Sequence, residues 1–270
     1  MPPPFGIGDS VLIEPDVHRY GPEPAQYGEL WLPAHQTDPA GTVVIVHGGF
    51  WRARYDLSFG RPLAADLAGR GYAAWNLEYR RAGGGGGWPA TFADVAAGID
   101  LLADLPVDTS RVAVIGHSAG GHLAAWAAGR PRPPQGMPGA ATPRVTVTAV
   151  VAQAGVLALA DCARDAVGGT AALDLMGGGP DELPAEYGHA DPMAAVPVRA
   201  AVLCVHSRAD DEVPFSYSER YVAAATAAGG DARLHETTGD HYTLVDPAAP
   251  DWRAVVEALP GLLGTALQAA

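Results

Sequence analysis

The chain is 270 residues long with a formal net charge of −13, which argues against nucleic acid as a partner, because a phosphate backbone is recognised by clustered Lys and Arg that release its counterions. All 17 basic residues are Arg, and the absence of Lys removes Schiff-base chemistry, pyridoxal attachment, Walker-type phosphate loops and Ser–Lys dyads together. Two cysteines are too few for a disulfide framework, the MPPPFGIGDS start lacks the basic and apolar regions of a secretion signal, and no run reaches the roughly 18 apolar residues of a membrane span, so a soluble cytoplasmic protein without membrane association is expected.

Short β-type runs alternate along the chain with Ala-rich stretches of helical period. Val11–Glu14 and Gly28–Leu32 are polar enough to form an antiparallel edge. A buried strand is predicted at Thr42–Val46, a helix at Phe59–Gly69, a strand at Ala73–Glu78 and a helix at Thr91–Leu105. The strand Val112–Ile115 leads into a helix over Ala119–Ala128, and Val145–Ala152 forms the next strand. Between Val156 and Val196 the period breaks into Gly- and Pro-rich pieces such as MGGGPDELP, too long for an ordinary connection. That segment reads as a small lid inserted into one domain spanning 1–270, and it is expected to set substrate size. The strand Ala200–Val205, with Cys204 as a buried reduced thiol, the helix Phe215–Ala228, the strand Ala232–Glu236 and the helix Asp251–Leu267 complete the pattern. Such alternation predicts the α/β class, with an eight-stranded, mostly parallel sheet covered by helices on both faces. The five glycines Gly83–Gly87 follow a strand but end in Trp88-Pro89 without a Lys, so they read as a surface loop beside the site rather than a phosphate cradle.

The stretch VIGHSAGG (114–121) carries the chemistry. Gly116 and Gly120, two residues either side of Ser118, suit a sharp strand-to-helix turn that exposes the hydroxyl at its tip. A serine hydroxyl is a weak nucleophile until a base accepts its proton and an acid orients that base. The HSRADDEVP loop after Ala200–Val205 offers Asp210 or Asp211. Asp210, three residues before Val213-Pro214, is the expected acid, and Asp211 a solvated neighbour or helix N-cap. After Ala232–Glu236, TTGDHYTLVD places His241 on the loop before the last helix. Of nine histidines it alone has the order and position of a base. His117 and His122 flank the serine and are expected to pack or line the pocket, while His206 is expected to support the acid loop. His18, His35, His189 and His235 lack metal-ligand spacing, so neither a metal nor a cofactor is predicted. The backbone amide of Ala119 and those of Gly49 and Phe50, in the loop His47-Gly48-Gly49-Phe50-Trp51, are the expected donors to an oxyanion, with Gly48 shaping the turn. Gly48, Trp51, Trp88 and His117 are expected around a mostly apolar substrate pocket.

With HGGFW at 47–51, EYR at 78–80, GHSAGG at 116–121, ADDEVP in the acid loop and DHYTLVD at 240–246, the chain resembles the α/β-hydrolases from about Gly28 to Leu263. Within them it is similar to the kynurenine formamidase and small carboxylesterase group related to the hormone-sensitive-lipase type. Lipase-like relatives often carry a third Gly where Phe50 stands, which adds an aromatic wall here without removing the amide. The resemblance implies a Ser118–Asp210–His241 triad and a serine hydrolase of small esters, or alternatively an aryl formamidase, acting through an acyl-enzyme on a small-molecule ester or amide. A non-catalytic binding protein on the same fold is the reading from another class.

Overall fold

The computed structural model describes residues 14–34, 39–130 and 142–264. Its strands are β1 (Asp16–Arg19), β2 (Tyr27–Trp31), β3 (Thr42–Val46), β4 (Ala73–Leu77), β5 (Val112–His117), β6 (Ala149–Gln153), β7 (Ala201–Ser207) and β8 (Ala232–Thr237). They form one sheet in the order β1-β2-β4-β3-β5-β6-β7-β8. The pairings β1–β2 and β2–β4 are antiparallel and the rest are parallel. TVVIV in β3 is buried along its whole length, as a β-branched run must be when helices cover both faces.

The helices are α1 (Arg61–Gly69), α2 (Ala90–Asp100), α3 (Ala119–Ala128), α4 (Leu159–Arg164), α5 (Ala171–Met176), α6 (Pro184–Ala190), α7 (Phe215–Ala227) and α8 (Pro250–Leu263). On one face Phe92 and Ile99 of α2, Leu123 and Trp126 of α3 and Tyr221 of α7 share a core. On the other, Leu63 and Leu67 of α1 pack with Trp252, Val255 and Leu259 of α8. Cys162 and Cys204 are buried free thiols, and burial pushes each up to about 12. Among the described residues no helix is long and apolar enough to cross a membrane.

Several element ends differ from the sequence expectation for identifiable reasons. Val11–Ile13 lie outside the described residues, and the antiparallel edge is made by β1. The strand expected from Val145 begins only at Ala149 because the amides of Arg144 and Val145 donate to Asp100 Oδ1 instead of a neighbouring strand. The helix expected from Phe59 begins at Arg61, after a tight turn over Leu57–Phe59. At Gly60 a Cβ would fall 2.1 Å from Asn76 Oδ1. The α2 helix tightens after Asp100 into a 3₁₀ turn over Leu101–Asp104, and α8 ends at Gly264 in left-handed conformation.

Strand register positions the site. Val46 lies beside Gly116 and His117 beside Gln153, so the loops leaving β3, β5 and β6 emerge side by side at the carboxyl edge, where open α/β sheets bind ligands.

Candidate active site

Ser118 joins β5 to α3 with φ 54° and ψ −118°, a left-handed conformation that costs a non-glycine residue about 1–3 kcal/mol and persists only when its surroundings impose it. The surroundings are backbone. A Cβ on Gly116 would lie 2.1 Å from the Gly120 carbonyl oxygen, and one on Gly120 would lie 2.0 Å from that of Val46. The Ser118 amide donates to the Gln153 carbonyl at 2.8 Å. Gly120→Ala is therefore expected to destabilise the protein by more than about 2 kcal/mol, whereas Gly188→Ala, in α6 with open space around it, should be neutral or stabilising. Urea melts of the two variants check this; equal midpoints would mean that the elbow has room to spare.

The loop after β3 is also strained. Gly49, Phe50 and Trp51 have φ of 107°, 53° and 55° in succession. It is tied down by the Arg52 amide donating to the Gly49 carbonyl and by reciprocal bonds between residues 51–53 and Ala82. Behind it, His47 Nδ1 donates to the Gly48 carbonyl at 2.8 Å, and Arg81 Nη1 approaches His47 Nε2 at 3.3 Å while pairing with Glu78. His47 Nε2 also lies 3.2 Å from Glu78 Oε1; burial first and the Arg81 charge second hold the imidazole down to about 3 and so neutral. Glu78 also accepts from the amides of Leu57 and Tyr79, and the Tyr79 hydroxyl donates to the His47 carbonyl. Ala119 heads α3, where the first amides have no intrahelical acceptor.

His241 Nδ1 lies 2.7 Å from Asp210 Oδ2, and the side chains are 3% and 0% exposed. Asp210 Oδ1 accepts from the amides of Glu212 and Val213 at 2.9 and 2.8 Å. Burial opposes its charge, but hydrogen bonds from His206, His241 and the Val213 amide outweigh that and keep the carboxyl well below the ordinary carboxylate range. Asp211 is exposed, and Pro214, not Asp211, occupies the N-cap of α7. The His241 loop is clamped from below: His117 Nε2 donates to the His241 carbonyl at 2.8 Å and Gln153 Nε2 to that of Leu244 at 2.6 Å. From α8, Asp251 accepts the Thr243 hydroxyl.

Ser118 and His241 open onto a single recess of about 60 Å³, together with Gly48, Gly49, Phe50, His117 and Gln153. Its apolar walls include Ile45, Tyr55, Phe59, Leu63, Ile115 and Val245. Two aromatic expectations are corrected. Trp51 is 0% exposed and away from the recess, because its buried indole N–H requires an acceptor and finds His122 Nδ1 at 3.2 Å. Trp88 stands edge-on to Phe92 at 5.0 Å and likewise does not line the recess. No residue of 156–196 or of Gly83–Gly87 lines it either; the walls come from β3, α1 and the connection between them, with Ile115 of β5 and Val245 from before α8. The longer segment instead backs Phe50, whose ring leaves no room for a Cβ at Gly168. His122 is a packing residue, donating from Nε2 to the Ala190 carbonyl at 2.9 Å. The clamp made by Gln153 was missed; its signal was a polar residue closing an otherwise apolar strand, AVVAQ. Among the described residues no group of three or more His, Cys, Asp or Glu side chains is arranged to hold a metal ion.

The BD-FAE family model matches residues 29–224. The chain belongs to the BD-FAE family. Part of this BD-FAE chain is 30% identical over 132 residues to a probable isoprenylcysteine alpha-carbonyl methylesterase of Arabidopsis thaliana, covering 46% of this chain and 27% of that protein. Part is 33% identical over 123 residues to esterase LipC of Mycobacterium tuberculosis, covering 41% and 30% respectively. The chain thus spans less than a third of the length of these curated relatives. Its structure aligns with that of a truncated carbohydrate esterase from gut microbiota at a TM-score of 0.78 and 21% identity, over 94% of this chain and 98% of that one. The BD-FAE chain therefore has the α/β-hydrolase fold.

Proposed function

We propose that the protein is a serine hydrolase that cleaves small carboxylic esters. The observation that carries this reading is His241, joined to the buried Asp210 at 2.7 Å and opening with Ser118 onto one small recess. In the proposed reaction Ser118 Oγ attacks the ester carbonyl carbon and His241 Nε2 takes its proton. Asp210 keeps the proton on Nδ1 and stabilises the imidazolium. The amides of Gly49, Phe50 and Ala119 bind the developing oxyanion, a stabilisation worth roughly 10²–10³ in rate for each donor. The alcohol leaves with the proton from His241, and a water deprotonated by the same imidazole cleaves the acyl-enzyme. No cofactor takes part. The chain acts as one domain, with 156–196 as an insert that supports the Phe50 wall.

A fluorophosphonate probe is expected to label the wild type and not Ser118→Ala. An unlabelled wild type would instead favour a binding protein on this fold. With active protein, the narrow recess predicts p-nitrophenyl acetate and butyrate turnover well above that of the octanoate and of N-formylkynurenine. Formamide turnover far above ester turnover would reassign the protein as an aryl formamidase.

A further inference from the structure

Asp210 has a second imidazole neighbour. His206, near the end of β7, is 0% exposed, and its Nε2 lies 3.1 Å from the Val213 carbonyl oxygen and 3.2 Å from Asp210 Oδ2. Both are acceptors only, so Nε2 carries a proton shared between them. On the opposite side, Nδ1 is 2.8 Å from the Ser218 hydroxyl of α7, and the ring rests against Phe215 at 5.4 Å.

We infer that His206 is a positioning residue for the base: by donating to the oxygen that also receives the His241 Nδ1 proton, it draws off part of the charge that stabilises the His241 imidazolium and so sets the pH at which the base becomes competent. The inference rests on the Ser118–His241–Asp210 reading above. A carboxylate oxygen with one donor fewer presents more negative charge to the donor that remains, and the protonated imidazole is favoured. The groups facing His241 are Asp210 from the loop after β7, His117 at the end of β5, Ser118 in the elbow after it, and Tyr242 beside it. Burial and the neighbouring His241 hold His117 down to about 3. Tyr242 is raised by burial and by Glu212, which its hydroxyl meets at 3.3 Å. Facing Asp210 are His206, His241 and the two loop amides. Ser218 strengthens the effect, since a hydrogen bond accepted at Nδ1 makes Nε2–H the better donor.

The test is the pH dependence of kcat/KM for p-nitrophenyl butyrate. His206→Phe retains a ring but no donor; its kcat is expected to fall about ten-fold and its acid limb to move to higher pH by roughly half a unit. His206→Gln, whose amide N–H reaches about as far as Nε2, should return the limb towards wild type. If His206→Phe does not fold, Ser218→Ala should give a smaller shift in the same direction. An acid limb unmoved in the folded variant, or moved to lower pH, overturns the inference. Wild type that fails to react with the fluorophosphonate would fault the triad reading itself, whereas labelled, active enzyme with an unmoved limb faults only the role of His206.

Discussion

Replacing Asp210 by Asn is expected to lower kcat for p-nitrophenyl butyrate by about 10⁴-fold, while Asp211→Asn stays within about two-fold of wild type, as substitutions at solvated positions generally do. The physical basis is the hydrogen-bond balance at Oδ2, which receives donors from both His241 and His206. An Asn oriented to keep its oxygen there accepts the same bonds but carries no charge to stabilise an imidazolium. Flipped, its amide N–H would force His241 to bear its proton on Nε2, away from the acceptor role towards Ser118. At Oδ1 the amides of Glu212 and Val213 favour the oxygen on that side instead, so the flip is the locally satisfied state. Steady-state kinetics on both variants decide the matter, and a large loss in Asp211→Asn with little in Asp210→Asn would reassign the acid.

Acidification from pH 6.5 to 5 is expected to remove on the order of 5 kcal/mol of unfolding free energy. Three imidazoles are responsible, one of them His117, which burial and the neighbouring His241 hold down to about 3. Burial and Arg81 hold His47 down to about 3, and burial holds His122 down to about 4 against the opposing bond to the Ala190 carbonyl. All three stay neutral in the folded protein across this interval, while in the unfolded chain they take up protons below about 6.5. The unfolded state therefore binds more protons, and stability falls with pH by about 1.4 kcal/mol per unit for each group. Asp210 acts in a different window: its lowered carboxyl contributes stability that is lost only as pH drops below the ordinary carboxylate value of about 3.9. Denaturant melts at half-unit steps measure the slope, and His122→Gln should reduce it by about a third. A slope near zero would mean that these imidazoles are protonated within the fold.

The centre of the parallel sheet was legible because its strands are largely apolar along their length and so stand out from the amphipathic helices around them. VAVI, AVLCV and TVVIV could be strands on both counts, of composition and of length. Ser118 and Asp210 each follow such a run and His241 follows the more polar, partly exposed ARLHET; the structure puts the three after β5, β7 and β8. Contacts that depend on distant partners were not legible. Nothing local distinguishes an aromatic residue that lines a recess from one whose indole N–H must find a buried acceptor, and Trp51 was misjudged for that reason. Val145 looks like a strand residue until Asp100, distant in sequence, takes its amide. The length of 156–196 suggested control of the pocket, but length says nothing about which face a segment covers.

Pairing of Val46 with Gly116 makes the loop after β3 and the elbow after β5 neighbours on one rung of the central ladder. Their separation is consequently inherited from the interstrand spacing, which the ladder's backbone hydrogen bonds hold at about 4.8 Å. A directed-evolution library randomising Tyr55 and Phe59 can thus resculpt the recess while the scaffold keeps the amides and the serine in mutual alignment.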